Sequence, residues 1–304
     1  MDLAALSLAL RAAELGSFAA AAREAGLDPS SASRAVGAVE DRLGVRLFQR
    51  TTRRLSLTEE GEAYLRRAAP LVEALEEARL EARAGRGRAA GRLRITASVA
   101  YGTRRLVPLL ARFGEEAPDL EVELVLSDAN LDLVAERVDL AVRLAPAPEG
   151  ELISARLHAV RYRVVAAPSW VAAHGMPEAP EALEGVDGPR MALPGHRDAW
   201  RFRRGAEERC VAVAGRALMS NALALQAAAE AGLGPALLAD WLVDGALGAG
   251  RLVELLPEWE VSAGTGGSAA WLLYPSRTYL PAKVRLGARL LREAATLAGA
   301  GADG

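Results

Sequence analysis

The sequence predicts an N-terminal winged helix-turn-helix domain, a long linker helix and a C-terminal α/β domain of two lobes. In residues 16–57, two short helical patterns joined by a Gly-containing turn precede an arginine-rich hairpin. A seven-residue apolar repeat follows in residues 58–84, and strand and helix patterns alternate beyond it. We therefore divide the chain into residues 1–59, residues 60–91 with the linker helix and a hinge, and residues 92–304.

The helix-turn-helix begins at Ser17, which is suited to cap a helix over residues 18–25. Gly26 suits the left-handed position that often follows a helix, and Pro29 favours the start of the next one. We predict that the second helix opens at residue 30 or 31 and ends near residue 43. In this motif the second helix enters the major groove of DNA.

The second helix carries polar side chains suited to that role. Hydroxyl groups near a helix N-terminus can bind phosphate or a base edge, and arginine can bind guanine or phosphate with two hydrogen bonds. Ala32, Val36 and Val39 can meanwhile face the core. The candidate DNA-binding residues in this part of the chain are Ser17, Pro29, Ser30, Ser31, Ser33 and Arg34.

A basic hairpin, or wing, follows. Apolar residues alternate on both sides of a polar tip at Thr51 and Thr52. Residues 42–57 contain five arginines and no acid. The alternative is a solvated basic hairpin on some other small helical domain, but its position directly after a serine-rich helix favours DNA binding. The candidate wing residues are Arg50, Thr51, Arg53 and Arg54.

Composition leaves room for a local DNA-binding surface. The 304 residues carry a formal net charge of −2, so the protein as a whole does not attract a polyanion. Cys210 is the one cysteine, which excludes an intramolecular disulfide, and its strand-like neighbours favour an ordinary strand residue over a redox sensor. The N-terminal residues lack a basic region before a long apolar run, so we expect no signal peptide, no membrane span and a cytoplasmic protein.

Residues 58–84 predict one long helix. Thr58 is suited to cap it, and acidic residues follow in its first turn. Apolar residues then recur at alternating spacings of four and three. This repeat predicts either a coiled-coil seam between two copies of the chain or a helix packed on its own domain. The candidate dimerisation residues are Tyr64, Ala68, Leu71 and Leu75.

Beyond the linker, three glycines within residues 84–91 indicate a hinge. Residues 93–143 then read as β-α-β-α-β, which predicts a parallel sheet wrapped by helices. A second such unit is predicted over residues 161–255, and a final strand and helix return to the first. The predicted lobes are lobe I, residues 92–160 and 266–304, and lobe II, residues 161–265.

Polar residues at the predicted strand ends indicate a ligand site between the lobes, because parallel sheets bind ligands beyond the carboxyl ends of their strands. Hydroxyls, a helix N-terminus and a guanidinium together suit a small anion, most simply an organic acid. For Arg143 the alternative is a structural ion pair with Asp128 or Asp139. The candidate ligand-binding residues are Ser98, Tyr101, Ser127, Asp128, Arg143, Ser220 and Asn221.

Several motifs resemble the signature of LysR-type transcriptional regulators. In the N-terminal part these are Gly16-Ser17-Phe18 with Ala21-Ala22, Pro29-Ser30 with Ser33-Arg34, Leu43-Gly44-Val45 with Leu47-Phe48, and Leu57-Thr58 with Gly61. Residues 138–143, 231–243, 250–256 and 274–277 are similar to the effector domains of the same family. The resemblance covers nearly the whole chain. It implies a periplasmic-binding-protein-like sensor that switches a DNA-binding oligomer, and it favours the dimerisation role of the linker helix.

Other function classes fit less well. An enzyme needs a reactive constellation, and the sequence has no Gly-x-Ser-x-Gly, His-Glu-x-x-His or P-loop motif. A free-standing solute-binding protein could share the C-terminal fold but would be secreted and would not carry residues 1–85. We predict a sequence-specific transcriptional regulator controlled by a small-molecule effector between the lobes, with double-stranded DNA as partner, no catalytic or metal-binding residues and no cofactor. The expected assembly is a homodimer or a homotetramer built from dimers.

Overall fold

The computed structural model describes residues 2–50, 55–84, 88–129, 131–146, 152–193, 195–196, 198–263, 268–274 and 280–300. The chain divides into two compact units, Met1–Gly87 and Arg88–Gly304. The elements of the first unit are α1 (Leu3–Leu15), α2 (Phe18–Glu24), α3 (Pro29–Leu43), β1 (Phe48–Arg50), β2 (Leu55–Leu57) and α4 (Glu59–Ala84).

Small side chains let the first three helices of the N-terminal unit pack closely. Ala9 and Ala12 of α1 are fully buried, as is Val36 of α3. The same core takes in Leu47 from the chain just before β1 and Leu65 from α4, which are 0% and 3% exposed. The wing and the start of the linker helix are therefore parts of one apolar core with the helix-turn-helix.

The predicted start of the second helix is corrected by the structure. α3 begins at Pro29, and its cap is Asp28, not a serine. The Asp28 carboxylate accepts the Ser30 hydroxyl at 2.6 Å and the Ser31 backbone N–H at 2.9 Å, and these hydrogen bonds hold the pKa of Asp28 well below its ordinary value. Asp28 prevails because it can cap α3 while Pro29 occupies the first helical position, where its missing N–H costs nothing.

The base of the wing connects directly to the linker helix. β1 and β2 pair antiparallel, with Phe48 opposite Leu57. The Thr58 hydroxyl accepts the Gly61 N–H at 2.8 Å, which confirms the predicted cap of α4. A Cβ at Gly61 would lie 2.0 Å from the Leu47 carbonyl oxygen, so glycine is required where α4 crosses the wing.

The C-terminal unit folds as two lobes that the chain enters, leaves and re-enters. Its first part forms β3 (Gly91–Ala97), α5 (Val99–Tyr101), a π-helical turn (Gly102–Leu106), a 3-10 turn (Val107–Leu109), α6 (Leu110–Glu116), β4 (Leu120–Leu126), β5 (Leu140–Ala145) and β6 (Ile153–Val160). The second lobe forms β7 (Tyr162–Ala166), α7 (Pro168–His174), a 3-10 turn (Pro180–Leu183), β8 (Arg190–Met191), β9 (Ala199–Arg204), β10 (Glu207–Ala212), β11 (Leu218–Met219), α8 (Ala222–Glu230), β12 (Ala236–Ala239), α9 (Asp240–Gly248), β13 (Val253–Leu255) and β14 (Glu260–Ala263). The chain then returns to lobe I as β15 (Ser268–Tyr274) and α10 (Ala282–Ala300).

Lobe I contains a mixed sheet of order β4-β3-β5-β15-β6. β3 is parallel to β4 and β5, as predicted, whereas the returning strand β15 is antiparallel to both of its neighbours. The second helix of the predicted β-α-β-α-β pattern, expected near residues 131–137, is absent, and residues 133–137 form a turn. The Asp132 carboxylate caps this turn by accepting two N–H groups, and Arg137, with a φ of 52°, ends it, so the chain forms a single turn in place of a longer helix.

Lobe II differs more from the prediction. Its main sheet has the order β10-β9-β14-β7-β12, with β13 also on β7, and every pairing in it is antiparallel. The predicted second parallel unit is therefore wrong. Alternating strand and helix patterns do not specify direction when a connection is long enough to reach either end of a strand. Cys210 lies in the edge strand β10 and is exposed.

A buried ion pair fastens α10 to the lobe I sheet. Lys283, the one lysine in the sequence, donates to Asp139 Oδ2 at 2.9 Å and to the Arg92 carbonyl oxygen at 2.5 Å. The same carboxylate accepts the Arg94 N–H at 3.0 Å. Asp139 is thus engaged by Lys283.

Within the described helices, none combines the length and hydropathy needed to cross a bilayer.

Candidate functional site

The predicted DNA-binding side chains of α3 share an open surface. Pro29, Ser30 and Arg34 are exposed, and Ser31 and Ser33 are partly exposed. We call these five residues the recognition-helix surface. Ser17 is used differently, because its hydroxyl caps α2 by accepting the Ala20 N–H at 3.2 Å. Its contribution to this part of the fold is therefore structural.

Arg34 lies over the first turn of α3. Its guanidinium donates to Ser31 Oγ at 3.2 Å and to Ser30 Oγ at 3.4 Å. These are long bonds to neutral groups, and in the described part of the N-terminal unit Arg34 forms no ion pair. The guanidinium can therefore exchange its contacts for a phosphate or base edge at little cost.

The wing is described at its base. Arg50 pairs through its backbone with Leu55. The predictions for Thr51, Arg53 and Arg54 lie outside the described residues, and the side chain of Arg50 does so too.

Sequence reasoning missed Glu40, the buried residue that holds the wing to α3. Glu40 is 3% exposed and accepts the backbone N–H groups of Leu47 at 2.8 Å and Phe48 at 3.0 Å. Burial opposes ionisation, but these two bonds and the Arg46 guanidinium at 3.1 Å together lower the pKa of Glu40. An acid directly after Val39, on the apolar face of a predicted helix, was the available signal.

The predicted dimerisation stripe on α4 divides into two parts. Ala68 is buried in the core of its own unit, and Tyr64 is partly buried against the same core, so Ala68 is removed from the seam. Leu71 and Leu75 are 67% and 56% exposed. Val72, one residue beyond Leu71, is still buried in this core, so Leu71 is exposed because it lies on another face of α4.

Three of the predicted effector residues lie level at one edge of the lobe I sheet. Ala97 of β3 pairs with Leu126 of β4, which brings the next residues, Ser98 and Ser127, side by side. The last pair of β3 with β5 is Thr96 with Ala141, and the same register continued by two residues brings Ser98 level with Arg143. We call Ser127, Ser98 and Arg143 the strand-end row.

Asp128 joins this edge to lobe II. Its Oδ1 accepts the Val99 backbone N–H at 3.1 Å, and its Oδ2 accepts Nδ2 of Asn221 at 2.5 Å. Asn221 Oδ1 is occupied by the N–H groups of Leu223 and Ala224, since Asn221 caps α8. The Asn221 amide therefore presents a donor to the lobe I carboxylate, and Ser220 beside it is exposed.

Arg143 has an environment unlike that of a structural arginine. Its Nη1 donates to the Val142 carbonyl oxygen at 3.5 Å, and its Nη2 is buried without a hydrogen-bond partner among the described residues. Burial lowers the pKa of Arg143. The alternative of an ion pair with Asp128 or Asp139 is not what the described residues form, because Asp128 binds Val99 and Asn221, and Asp139 binds Lys283.

Tyr101 reaches neighbours that the sequence did not indicate. Its hydroxyl lies 3.1 Å from His158 Nε2, and its ring packs edge-on against Trp241 of lobe II with centroids 5.3 Å apart. His158 Nδ1 lies 2.8 Å from the Ala159 carbonyl oxygen, so Nδ1 carries the proton and Nε2 accepts from Tyr101. Burial raises the pKa of Tyr101 to about 12, opposed by the charge of Arg105.

Family comparisons match both units. The family described as bacterial regulatory helix-turn-helix protein, lysR family, matches residues 3–62, and the family described as LysR substrate binding domain matches residues 86–296. The chain belongs to the LysR family of transcriptional regulators. This LysR-type regulator accordingly has a DNA-binding helix-turn-helix and a substrate-binding domain for an effector.

Individual relatives agree. The regulator is 35% identical over 286 residues to the HTH-type transcriptional regulator PtxR of Pseudomonas aeruginosa, covering 92% of this chain and 89% of the relative. It is 33% identical over 253 residues to the HTH-type transcriptional regulator CrgA of Neisseria meningitidis serogroup C, covering 83% and 84%. The solved structure of CrgA, a LysR-type transcriptional regulator from Neisseria meningitidis, superposes with a TM-score of 0.61 at 30% identity, covering 97% of this chain and 99% of that one. These relatives are named as regulators, which implies a non-enzymatic role.

Proposed function

We propose that this regulator acts in the cytoplasm and reads a two-fold symmetric DNA site with α3 in the major groove and the wing on the adjacent backbone. The recognition-helix surface carries the proposal, since Arg34 is open to solvent and is held to Ser30 and Ser31 by long hydrogen bonds only. Arg34 reads a base edge, while Arg50, Thr51, Arg53 and Arg54 contribute sequence-independent phosphate contacts.

The test is enrichment of genomic fragments on the purified full-length protein, followed by titration of the recovered duplex and of random duplex. Specific binding at least a thousandfold tighter than random binding, about the lower limit for such proteins, is expected. Equal affinity for both duplexes would contradict sequence-specific readout by α3.

The proposed assembly is a homodimer, or a homotetramer of such dimers, joined through α4. The observation that supports it is the pair of leucines, Leu71 and Leu75, which are exposed in the isolated chain on the stripe that the seven-residue repeat predicts. A dyad DNA site requires two recognition helices at a fixed spacing, and a paired helix supplies that spacing.

Sedimentation tests the seam. Leu71→Glu or Leu75→Glu places a charge in an interface that cannot solvate it, so a smaller species and loss of binding to the dyad site are expected. Leu15→Glu, at an exposed leucine that ends α1, is the matched control and should keep the parental mass. Unchanged mass in both seam variants would locate the dimer contact elsewhere.

For the effector, an organic acid is the proposed class. The supporting observation is Arg143, whose buried Nη2 has no hydrogen-bond partner among the described residues and which lies level with Ser98. A carboxylate ligand supplies the acceptor that this Nη2 lacks. A thermal-shift screen of organic acids against the full-length protein, with calorimetry of each hit, tests the class, and hits confined to neutral or cationic compounds would contradict it.

A further inference from the structure

The carboxylate of Asp128 lies between donors from both lobes. The Val99 N–H approaches it from lobe I and the Asn221 amide from lobe II. Asn221 cannot rotate its amide to offer an oxygen instead, because its Oδ1 is held by two N–H groups at the start of α8. The two donors therefore suit a carboxylate, and a side chain of the protein itself supplies one.

The positively charged group at the same edge of the sheet, in contrast, has a hydrogen-bond donor that is not satisfied. Arg143 stands in the strand-end row with a buried Nη2 that has no hydrogen-bond partner within the described ranges. Asp128 directs both of its oxygens to Val99 and Asn221. The region thus has two donors that a carboxylate already fills and one guanidinium nitrogen, Nη2 of Arg143, that has no acceptor among the described residues.

We propose that Asp128 is a tethered competitor of the effector. Its carboxylate occupies the Val99 and Asn221 donors in the effector-free protein, and the effector's carboxylate displaces it while Arg143 supplies the added charge. The displacement breaks the hydrogen bond between Asp128 of lobe I and Asn221 of lobe II. Effector binding is therefore coupled to the relative position of the two lobes. This inference rests on the proposed organic-acid effector and deepens it.

Exposure makes the exchange possible. Asp128 is exposed and Asn221 partly exposed, so the carboxylate can leave for solvent without becoming a buried unpaired charge. A retained Asp128 would instead repel an anion and favour an amine ligand. The Arg143 guanidinium, two strands from Asp128 in the order β4-β3-β5, argues against an amine, because two cations would then lie at the same edge of the sheet.

The experiment compares wild type with Asp128→Ala, using acetate and succinate as probes at constant ionic strength. Removing the tethered carboxylate should strengthen binding of both probes at least tenfold, because the Val99 and Asn221 donors become available without displacing a competitor. Asp119→Ala is the matched control, since Asp119 is an exposed acid at the other end of β4. It removes the same charge and should leave the affinity unchanged.

Two further measurements separate competition from a general charge effect. Arg143→Ala in the Asp128→Ala background should abolish the gain. Hydrogen exchange at the Val99 amide should accelerate in Asp128→Ala and slow again when acetate is added, because the probe replaces the lost acceptor. If Asp128→Ala does not fold, Asp128→Ser provides the same comparison.

Equal affinities of wild type and Asp128→Ala for acetate and succinate would overturn the proposal, as would an equal gain for chloride. If Asp128→Ala shows no gain but wild type binds an organic acid and loses that binding in Arg143→Ala, the competitor role of Asp128 is wrong and the proposed effector site is still supported. If neither protein binds any carboxylate, both ideas fail together.

Discussion

The recognition-helix surface differs from the region around the Asp128–Asn221 contact and the strand-end row, which we call the cleft, in how its polar side chains are bonded. On α3, Arg34 and Ser30 bond within one helical turn and stay exposed. In the cleft, Asp128 bonds to Asn221, which is 93 residues away in sequence. A DNA-binding surface can be predicted from residues close together in the sequence, because one helix presents them on one surface. A cleft is assembled from distant segments, so its polar residues can satisfy one another, and only those left over, such as Arg143, point to a ligand.

The largest expected effect is the loss of DNA binding through a change in the N-terminal unit, with effector binding retained. Gly61→Ala should destabilise the N-terminal unit by about 3 kcal/mol and abolish DNA binding, because the added Cβ would collide with the Leu47 carbonyl. Denaturant unfolding and duplex titration measure it. Gly37→Ala is the control, since the space around Gly37 inside α3 is open and alanine favours helix. Loss of effector binding in Gly61→Ala would show that the two sites are not separable.

The next effect tests whether Arg143 binds the effector. Arg143→Ala should weaken binding of an organic-acid hit roughly tenfold to a hundredfold, since a charge-assisted contact contributes about 1.5–3 kcal/mol. Calorimetry measures it. Arg156→Ala on β6 is the matched control, an exposed arginine on the same sheet. Wild-type affinity in a folded Arg143→Ala and in Ser98→Ala would show that the strand-end row is not the ligand site.

On the DNA surface, Arg34→Ala should weaken binding to the specific site by about 1–3 kcal/mol and leave random-duplex binding nearly unchanged. Arg53→Ala should weaken both alike and flatten the dependence on salt. Titrations at several salt concentrations separate the two. Equal loss of random-duplex binding in both variants would reduce Arg34 to a phosphate contact.

The smallest effect concerns the attachment of the wing. Because the folded pKa of Glu40 lies below the ordinary value of 4.5, the carboxylate's contribution to stability is complete above that value and is lost as pH falls through the folded pKa. Glu40→Gln should therefore cost about 1 kcal/mol at neutral pH, with the difference from wild type shrinking in acid. Glu62→Gln, at an exposed acid of α4, should show no such trend. A constant difference for Glu40→Gln at every pH would contradict the argument.

Local signals predicted the N-terminal unit well. Gly26 has a φ of 68°, α3 ends at Leu43, and Thr58 caps α4, all as the sequence indicated. The start of α3 was misplaced because Asp28, Ser30 and Ser31 are all capping residues, and the pattern alone does not rank them.

The cleft was less accessible to sequence reasoning. The register of β3 with β4 and β5 follows from strand order, so Ser98, Ser127 and Arg143 could be brought together. The contacts of Tyr101 with His158 and Trp241 join segments far apart in sequence, and no periodic pattern encodes them. The antiparallel sheet of lobe II was missed for a related reason, since strand direction depends on where a long connection returns.

Lys283 gives the protein an unusual chemical property. Among the 37 basic residues it is the single lysine, and it is 2% exposed beneath the ion pair with Asp139. Reagents that acylate ε-amines therefore find one such group in this sequence, and they reach it after α10 has left the sheet of lobe I. The rate of acylation at Lys283 would therefore measure how often α10 separates from the sheet. The measurement needs no attached probe and can be made with or without an effector.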